Sequence, residues 1–194
     1  EYIIRPLSSG LKDKHPYVRQ RAVVGVLKMF HVVPETIEES GMIETVQSMI
    51  NDKDPQVVSN VIVCLSEVQR TTGGIVMTRG LCVRLLKRIK QFNDWSQCII
   101  LDFLYHYQPS NNKECFSIMN ALESCLQISH SGVVMGAAKI FLKYGQILGG
   151  AVAKKIYQRL RTPFLTLLAN PSPESDYVVL SHIKVRVTLC PVFP

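Results

Sequence analysis

The stretch LKDKHPYVRQRAVVGVLKM, from Leu11, is written again in outline 39 positions later as INDKDPQVVSNVIVCLSEV, from Ile50. Asp13 falls on Asp52, Lys14 on Lys53, Pro16 on Pro55, Val18 on Val57, Ala22 on Val61 and Val26 on Leu65. An internal period constrains a fold strongly. Each copy must be one supersecondary unit that buries its apolar side only by stacking on the next copy.

The copies read as helices. After Pro16 the apolar positions are Val18, Ala22, Val23, Val26, Leu27 and Phe30; after Pro55 they are Val57, Val58, Val61, Ile62, Leu65 and Val68. Both sets follow the 3–4 spacing of one buried helical stripe. Each proline suits a first helical turn, where its missing N–H costs nothing. Asp54 is a good N-cap for the second helix, and His15 a poorer one for the first. The pattern returns in LQISHSGVVMGAAKIFLKY from Leu126, with Val133 on Val57 and Ala137 on Val61. A weaker copy, LLANPSPESDYVVLSHIKV, begins at Leu167, with an insertion before Tyr177. NDWSQCIILDFLYHY, capped by Asn93 or Asp94, fills the interval between the second and third copies.

Other amphipathic segments alternate with these: GMIETVQSMI, GLCVRLLKRIK, KECFSIMNALESCLQ and AVAKKIYQRLRTPFLTLLA. Breaks fall at Thr72–Gly74, Gln108–Asn112, Gly149–Gly150 and Asn170–Pro173. No segment sustains the period-two alternation of a half-buried strand. The unit is thus two antiparallel helices in roughly 38–45 residues, the period of HEAT and armadillo repeats. The expected fold is all-α, an α-α superhelix (HEAT/armadillo-like solenoid) of about four to five helix pairs. It spans residues 1–187, with a non-helical tail at 188–194 that Pro191 and Pro194 keep from continuing as helix. The expected repeat-interface core is Val18, Ala22, Val57, Val61, Leu65, Val133 and Ala137.

Composition enters at the surface. The net charge of +7 is unevenly placed: residues 1–78 carry 8 basic and 9 acidic side chains, and residues 79–161 carry 12 and 4. A basic middle stretch points to an acidic partner surface, an anionic membrane or RNA, set against the plainer reading of a solvated face. The six cysteines form no C-x-x-C pair, and no histidine stands beside them at metal-ligand spacing. Most lie in apolar helical stretches as small hydrophobes, which fits a reducing, intracellular compartment. No apolar run is long enough to cross a bilayer, and no N-x-S/T signal occurs. Glu1 rather than Met opens the chain and no signal peptide precedes it, so a segment of a longer protein is expected.

A search for catalytic chemistry returns little. His15, His31, His106, His130 and His182 are scattered, without a cysteine or carboxylate partner in recognisable order. Gly73–Gly74 and Gly149–Gly150 are turns without the P-loop form. Phe103, Tyr105 and Tyr107 read as core packing rather than a base-stacking platform. No catalytic residue, metal site or cofactor is expected. Two basic groups remain. Arg84, Lys87 and Arg88 share a helix face through i, i+3 and i+4 spacing, and Lys154, Lys155 and Arg159 form a second group. Stacked repeats would place both along one ridge, open to phosphates or acidic side chains. Taken singly, each also reads as a solubilising face.

The run IILDFLYHYQP, preceded by Trp95 and Gln97, resembles the β-adaptin trunk of clathrin-adaptor complexes, which carries a Trp-x-Gln followed by an Ile-Leu-Asp helix ending in Tyr-x-Pro. LKDKHPYVRQRAVVGVLKM is similar to that family's LKD-x-x-PYVR repeat, and NDKDPQVVSNVIVCLSEV to its later copy. The resemblance covers Glu1 to about Val187. EYI near the start, GGIV at Gly73 and SGVVMGAAKIFL from Ser131 are most similar to the β subunit of the fourth adaptor complex. Ser96 stands where the family usually has glycine, and KVRVTLCPVFP departs from the expected continuing helix.

The resemblance implies a non-catalytic scaffold: a large subunit of a heterotetrameric coat adaptor. Its partners would be a second large adaptin, a medium and a small subunit, and an Arf-family GTPase. Peripheral association with anionic membrane at the trans-Golgi network or endosome, on the cytoplasmic side, would follow, with no nucleic acid. The competing reading from charge alone is a basic HEAT-repeat solenoid that binds nucleic acid or serves as a transport receptor, with binding that falls steeply with salt. A HEAT-like enzyme would need converging histidine, cysteine or carboxylate groups, which the sequence does not offer.

Overall fold

A computed structural model describes residues 2–72, 78–169, 177 and 179–181. Ten α-helices appear among them: α1 (Ile4–Leu11), α2 (Pro16–Val32), α3 (Pro34–Glu39), α4 (Met42–Ser48), α5 (Pro55–Thr72), α6 (Arg79–Arg88), α7 (Asp94–Tyr105), α8 (Asn112–Leu122), α9 (Ser131–Leu148) and α10 (Gly150–Ala169). Short 3-10 turns follow α4, α6 and α8. No strand occurs among the described residues, and the fold is an all-α helical-repeat solenoid. The chain divides into two compact units, one ending at Tyr107 and the other beginning at Gln108. The weak copy from Leu167 lies mostly outside the described residues. So do Gly73–Gly74, the Asn170–Pro173 break, His182, Cys190 and the expected tail at 188–194.

In the first unit the two copies begin alike. Pro16 and Pro55 each open their helix. Ahead of each, the repeated aspartate folds the chain into a two-residue side-chain turn: Asp13 Oδ1 accepts the His15 N–H and Asp52 Oδ1 accepts the Asp54 N–H, both at 2.8 Å. The caps then differ. Asp54 Oδ1 accepts the Val57 N–H at 2.9 Å, whereas the His15 side chain caps nothing. At α7 the cap is Asn93, which accepts the Ser96 N–H at 2.8 Å.

α2 packs on α1 and α5, and α5 in turn meets α4 and α7. The core between them contains Ala22, Val23, Val26, Phe30, Val57, Val61, Cys64, Leu65 and Val68, with Ile37 and Val46 closing it from α3 and α4. Val57 and Val61 have no exposed surface. Val18 differs from the expected interface stripe: it is 37% exposed. Opposite it on α1 stands Gly10. Val18 lies over Gly10, which has no side chain to cover it and whose backbone comes close enough that a Cβ there would stand 3.1 Å from that of Ala22. The glycine thus lets α1 approach Ala22 closely, while Val18 stays at the edge of the contact.

In the second unit α9 is the central helix. It packs against α8, the Glu123–Gln127 turn and α10. Val133, Ala137, Ile140 and Phe141 are buried on it, along with Val134, Ala138, Leu142 and Tyr144. That breadth of burial explains why α9 reads as nearly continuous apolar sequence rather than as one stripe. α8 starts with a reciprocal pair of caps: Asn111 Oδ1 accepts the Glu114 N–H at 2.9 Å, and Glu114 Oε2 accepts the Ser110 N–H at 2.7 Å. α9 and α10 are joined by Gly149 and Gly150, whose φ values of 61° and 52° lie in the left-handed region that side chains disfavour.

Candidate interaction surface

The basic groups sit on the outer faces of α6 and α10. On α6, Leu81, Cys82, Leu85 and Leu86 turn inward, and Thr78 Oγ1 caps the helix by accepting the Leu81 N–H at 3.3 Å. The spacing leaves Gly80, Val83, Arg84 and Lys87 outward and exposed. On α10, Ala153, Ile156, Leu160, Phe164 and Leu167 are buried, which places Lys154 and Lys155 outside.

The structure separates the six expected anion-contacting residues into two kinds. Arg84, Lys87, Lys154 and Lys155 are exposed and make no hydrogen bond or ion pair with the described residues. Arg88 and Arg159 are engaged within the fold. Arg88 turns back to the loop before α5. It donates to the Asp52 and Lys53 carbonyls, both at 2.7 Å, and to Gln91 Oε1 at 3.1 Å, with its guanidinium 5.9 Å from the centre of the Phe92 ring. Arg159 pairs with Glu123 at 2.7 Å. That pair is half-exposed, worth about 0.2–1 kcal/mol as surface pairs go. The groups on α6 and α10 belong to different compact units.

Sequence reasoning passed over a second polar cluster. Arg19 donates from Nε and Nη2 to the two Asp52 carboxylate oxygens at 2.8 and 2.9 Å, and from Nη1 to the Asp13 and Lys14 carbonyls at 2.9 and 3.0 Å. Gln20 donates to Asp54 at 3.1 Å. Burial pushes the Asp52 carboxyl up. The Arg19 hydrogen bond, the Asp54 N–H and the charges of Arg19 and Arg88 outweigh that and hold it below its ordinary value. The recurrence of Asp13 at Asp52 was the available signal for this cluster. It marked a repeated turn without saying which cation would reach it.

The motif residues of α7 are divided as well. Trp95 is 74% exposed. Gln97 is buried, and its amide donates to the Phe92 carbonyl at 2.9 Å. Ser96, standing where the resembled family usually has glycine, uses its hydroxyl: Gln56 donates to it at 3.2 Å, tying α5 to α7. Phe103 and Tyr107 are buried, while Tyr105 is exposed and lies edge-on to His106.

The described residues contain no group of histidine, cysteine and carboxylate side chains that could hold a metal. Burial pushes the Cys64 thiol up to about 11 and also raises those of Cys98 and Cys115, which keeps them protonated and poorly nucleophilic near neutrality. One cavity of about 300 Å³ opens between α1 and the α2–α3 junction, lined mainly by Ile3, Ile4, Met29, Val33 and Ile37. Tyr2 and Thr36 complete a lining that is mostly apolar. No described helix is long and apolar enough to cross a membrane.

Residues 1–143 match the family described as non-SMC mitotic condensation complex subunit 1. Among curated proteins, the chain is 37% identical to "Beta-adaptin-like protein A" of Arabidopsis thaliana over 202 residues, covering 98% of the chain and 24% of that protein. It is 35% identical to "AP-4 complex subunit beta-1" of Mus musculus, covering 95% of the chain and 25% of that protein. It is 32% identical to "AP-1 complex subunit beta-1" of Homo sapiens, covering 96% and 20%. The chain therefore spans about a quarter of the length of the curated relatives it matches.

Proposed function

Since the chain belongs to the β-adaptins, and over residues 1–143 to the helical-repeat family described as non-SMC mitotic condensation complex subunit 1, we propose that it is part of the trunk of a large, β-type adaptor subunit. The role is that of a non-catalytic scaffold. In this reading it pairs with a second large adaptin, cradles a medium and a small subunit, and gathers cargo into vesicles. An Arf-family GTPase recruits the assembly to the cytoplasmic face of trans-Golgi network or endosomal membranes. Arg84, Lys87, Lys154 and Lys155 are the cations available to an anionic partner or membrane, while Arg88 is spent on the carbonyls of the loop before α5 and Arg159 on Glu123.

The observation that carries this reading is the likeness to adaptor β subunits along 95% or more of the chain. The basic charge distribution accords with binding to an anionic partner. Affinity purification of the full-length parent protein from cells tests it. Recovery of one other large adaptin with a medium and a small subunit is the expected result, and the identity of the large partner assigns the complex.

A second reading is favoured by one observation, the match of residues 1–143 to a family described by a mitotic condensation complex. Under it the chain is a basic solenoid for nucleic acid. Nuclease-sensitive, steeply salt-dependent retention of RNA or DNA without adaptins would be its signature and would displace the adaptor reading.

A further inference from the structure

We propose that the corner between α9 and α10 docks on an anionic lipid bilayer, an inference that rests on reading the chain as part of a peripheral coat subunit. The corner is built from Ile147, Gly149, Gly150, Ala151, Lys154 and Lys155. Ile147 is 53% exposed on the last turn of α9, and Ala151, Lys154 and Lys155 are exposed on the first turns of α10. The two left-handed glycines that join the helices stand clear of the other described residues: a Cβ on either would meet nothing within 4 Å among them. The corner therefore combines an exposed aliphatic side chain at the end of α9 with two exposed ammonium groups at the start of α10.

Its electrostatics are one-signed. Between Glu123 and Glu174 the chain has no acidic residue and six basic ones: Lys139, Lys143, Lys154, Lys155, Arg159 and Arg161. The acidic groups on the described elements packed against α9 and α10 are both occupied. Glu114 is buried and accepts the Ser110 N–H, and Glu123 is paired with Arg159. Nothing anionic on these elements is left to neutralise Lys154 and Lys155.

The chemistry of the corner argues for a bilayer over an acidic protein. A bilayer offers diffuse phosphate charge to flexible ammonium groups and a shallow apolar layer to an exposed isoleucine. Lysine, a hydrated point charge without the planar fork of arginine, suits such a surface better than it suits one fixed carboxylate.

The test is co-sedimentation of the full chain with vesicles of phosphatidylcholine alone, or mixed with phosphatidylserine. Binding is expected only to the mixed vesicles. Lys154→Ala with Lys155→Ala should weaken it about thirty-fold, from roughly 1 kcal/mol for each lysine beside an anionic leaflet. Ile147→Ser should weaken it about five-fold through lost apolar burial, with unchanged thermal unfolding in both variants. Equal binding to both vesicle types, or wild-type binding by either variant, overturns the proposal. A double variant that loses co-purifying adaptor subunits overturns it too, by making the corner a protein contact. If the subunits are retained while vesicle binding never appears, the membrane corner is wrong and the scaffold reading stands.

Discussion

Arg88 reaches back 36 positions to Asp52 and takes its backbone carbonyl at 2.7 Å, while the Asp52 carboxylate is held from the other side by Arg19. The arrangement resolves a mismatch in the repeat. In the first copy, Arg19 satisfies the carbonyls of Asp13 and Lys14 from within its own helix. The position 39 residues after Arg19 is Val58, wholly buried and unable to donate from its side chain. Arg88 supplies the missing guanidinium from α6, at the equivalent carbonyls of Asp52 and Lys53.

Removing that guanidinium should therefore cost stability. Arg88→Met keeps much of the aliphatic stem and loses both carbonyl bonds. We expect a loss of about 1.5–3 kcal/mol in chemical unfolding, the range for hydrogen bonds to charged groups. A change below about 0.5 kcal/mol would reassign Arg88 to the solvated face.

Arg19 and Asp52 should be coupled, and coupled through pH. In a double-mutant cycle with Arg19→Ala and Asp52→Asn, the interaction energy should fall within about 0.5–3 kcal/mol, and additive single effects would remove the link. The Asp52 carboxyl is held below its ordinary value in the folded protein. Its contribution is then fully present above the unfolded aspartate value of about 3.9 and is lost as pH falls through the lower folded value. Stability measured across that acidic window should fall more steeply in the wild type than in Asp52→Asn.

Val61→Asp places an unpaired carboxylate in the core between α2 and α5, at a position with no exposed surface. The expected loss exceeds about 3 kcal/mol. Unchanged thermal unfolding would remove Val61 from the repeat interface.

Arg84→Glu with Lys87→Glu should do the reverse. Both residues are exposed and unpaired among the described residues, so unfolding should shift by less than about 0.5 kcal/mol for each change. Binding to an anionic partner should weaken, as read by pull-down at low salt. Collapse of stability would mean that these side chains hold the fold.

The helical-repeat architecture was legible in the primary sequence because its causes are local. The valines and alanines of α2, α5 and α9 recur at helical spacing, prolines open α2 and α5, and Asp54 caps the helix beside it. Such signals act within four residues, so a linear reading can find them. The allocation of the cations was not legible in the same way. Arg84 and Arg88 lie one turn apart on one helix, yet the first faces solvent and the second is spent on carbonyls 35 and 36 positions earlier. Lys155 and Arg159 are separated likewise, by Glu123. Val18 carries the pattern of a core residue and stands 37% exposed at the edge of the contact with α1. In each case the deciding group is remote in sequence. Periodicity states which side of a helix is apolar; packing alone brings a particular carbonyl, carboxylate or bare backbone opposite a given side chain.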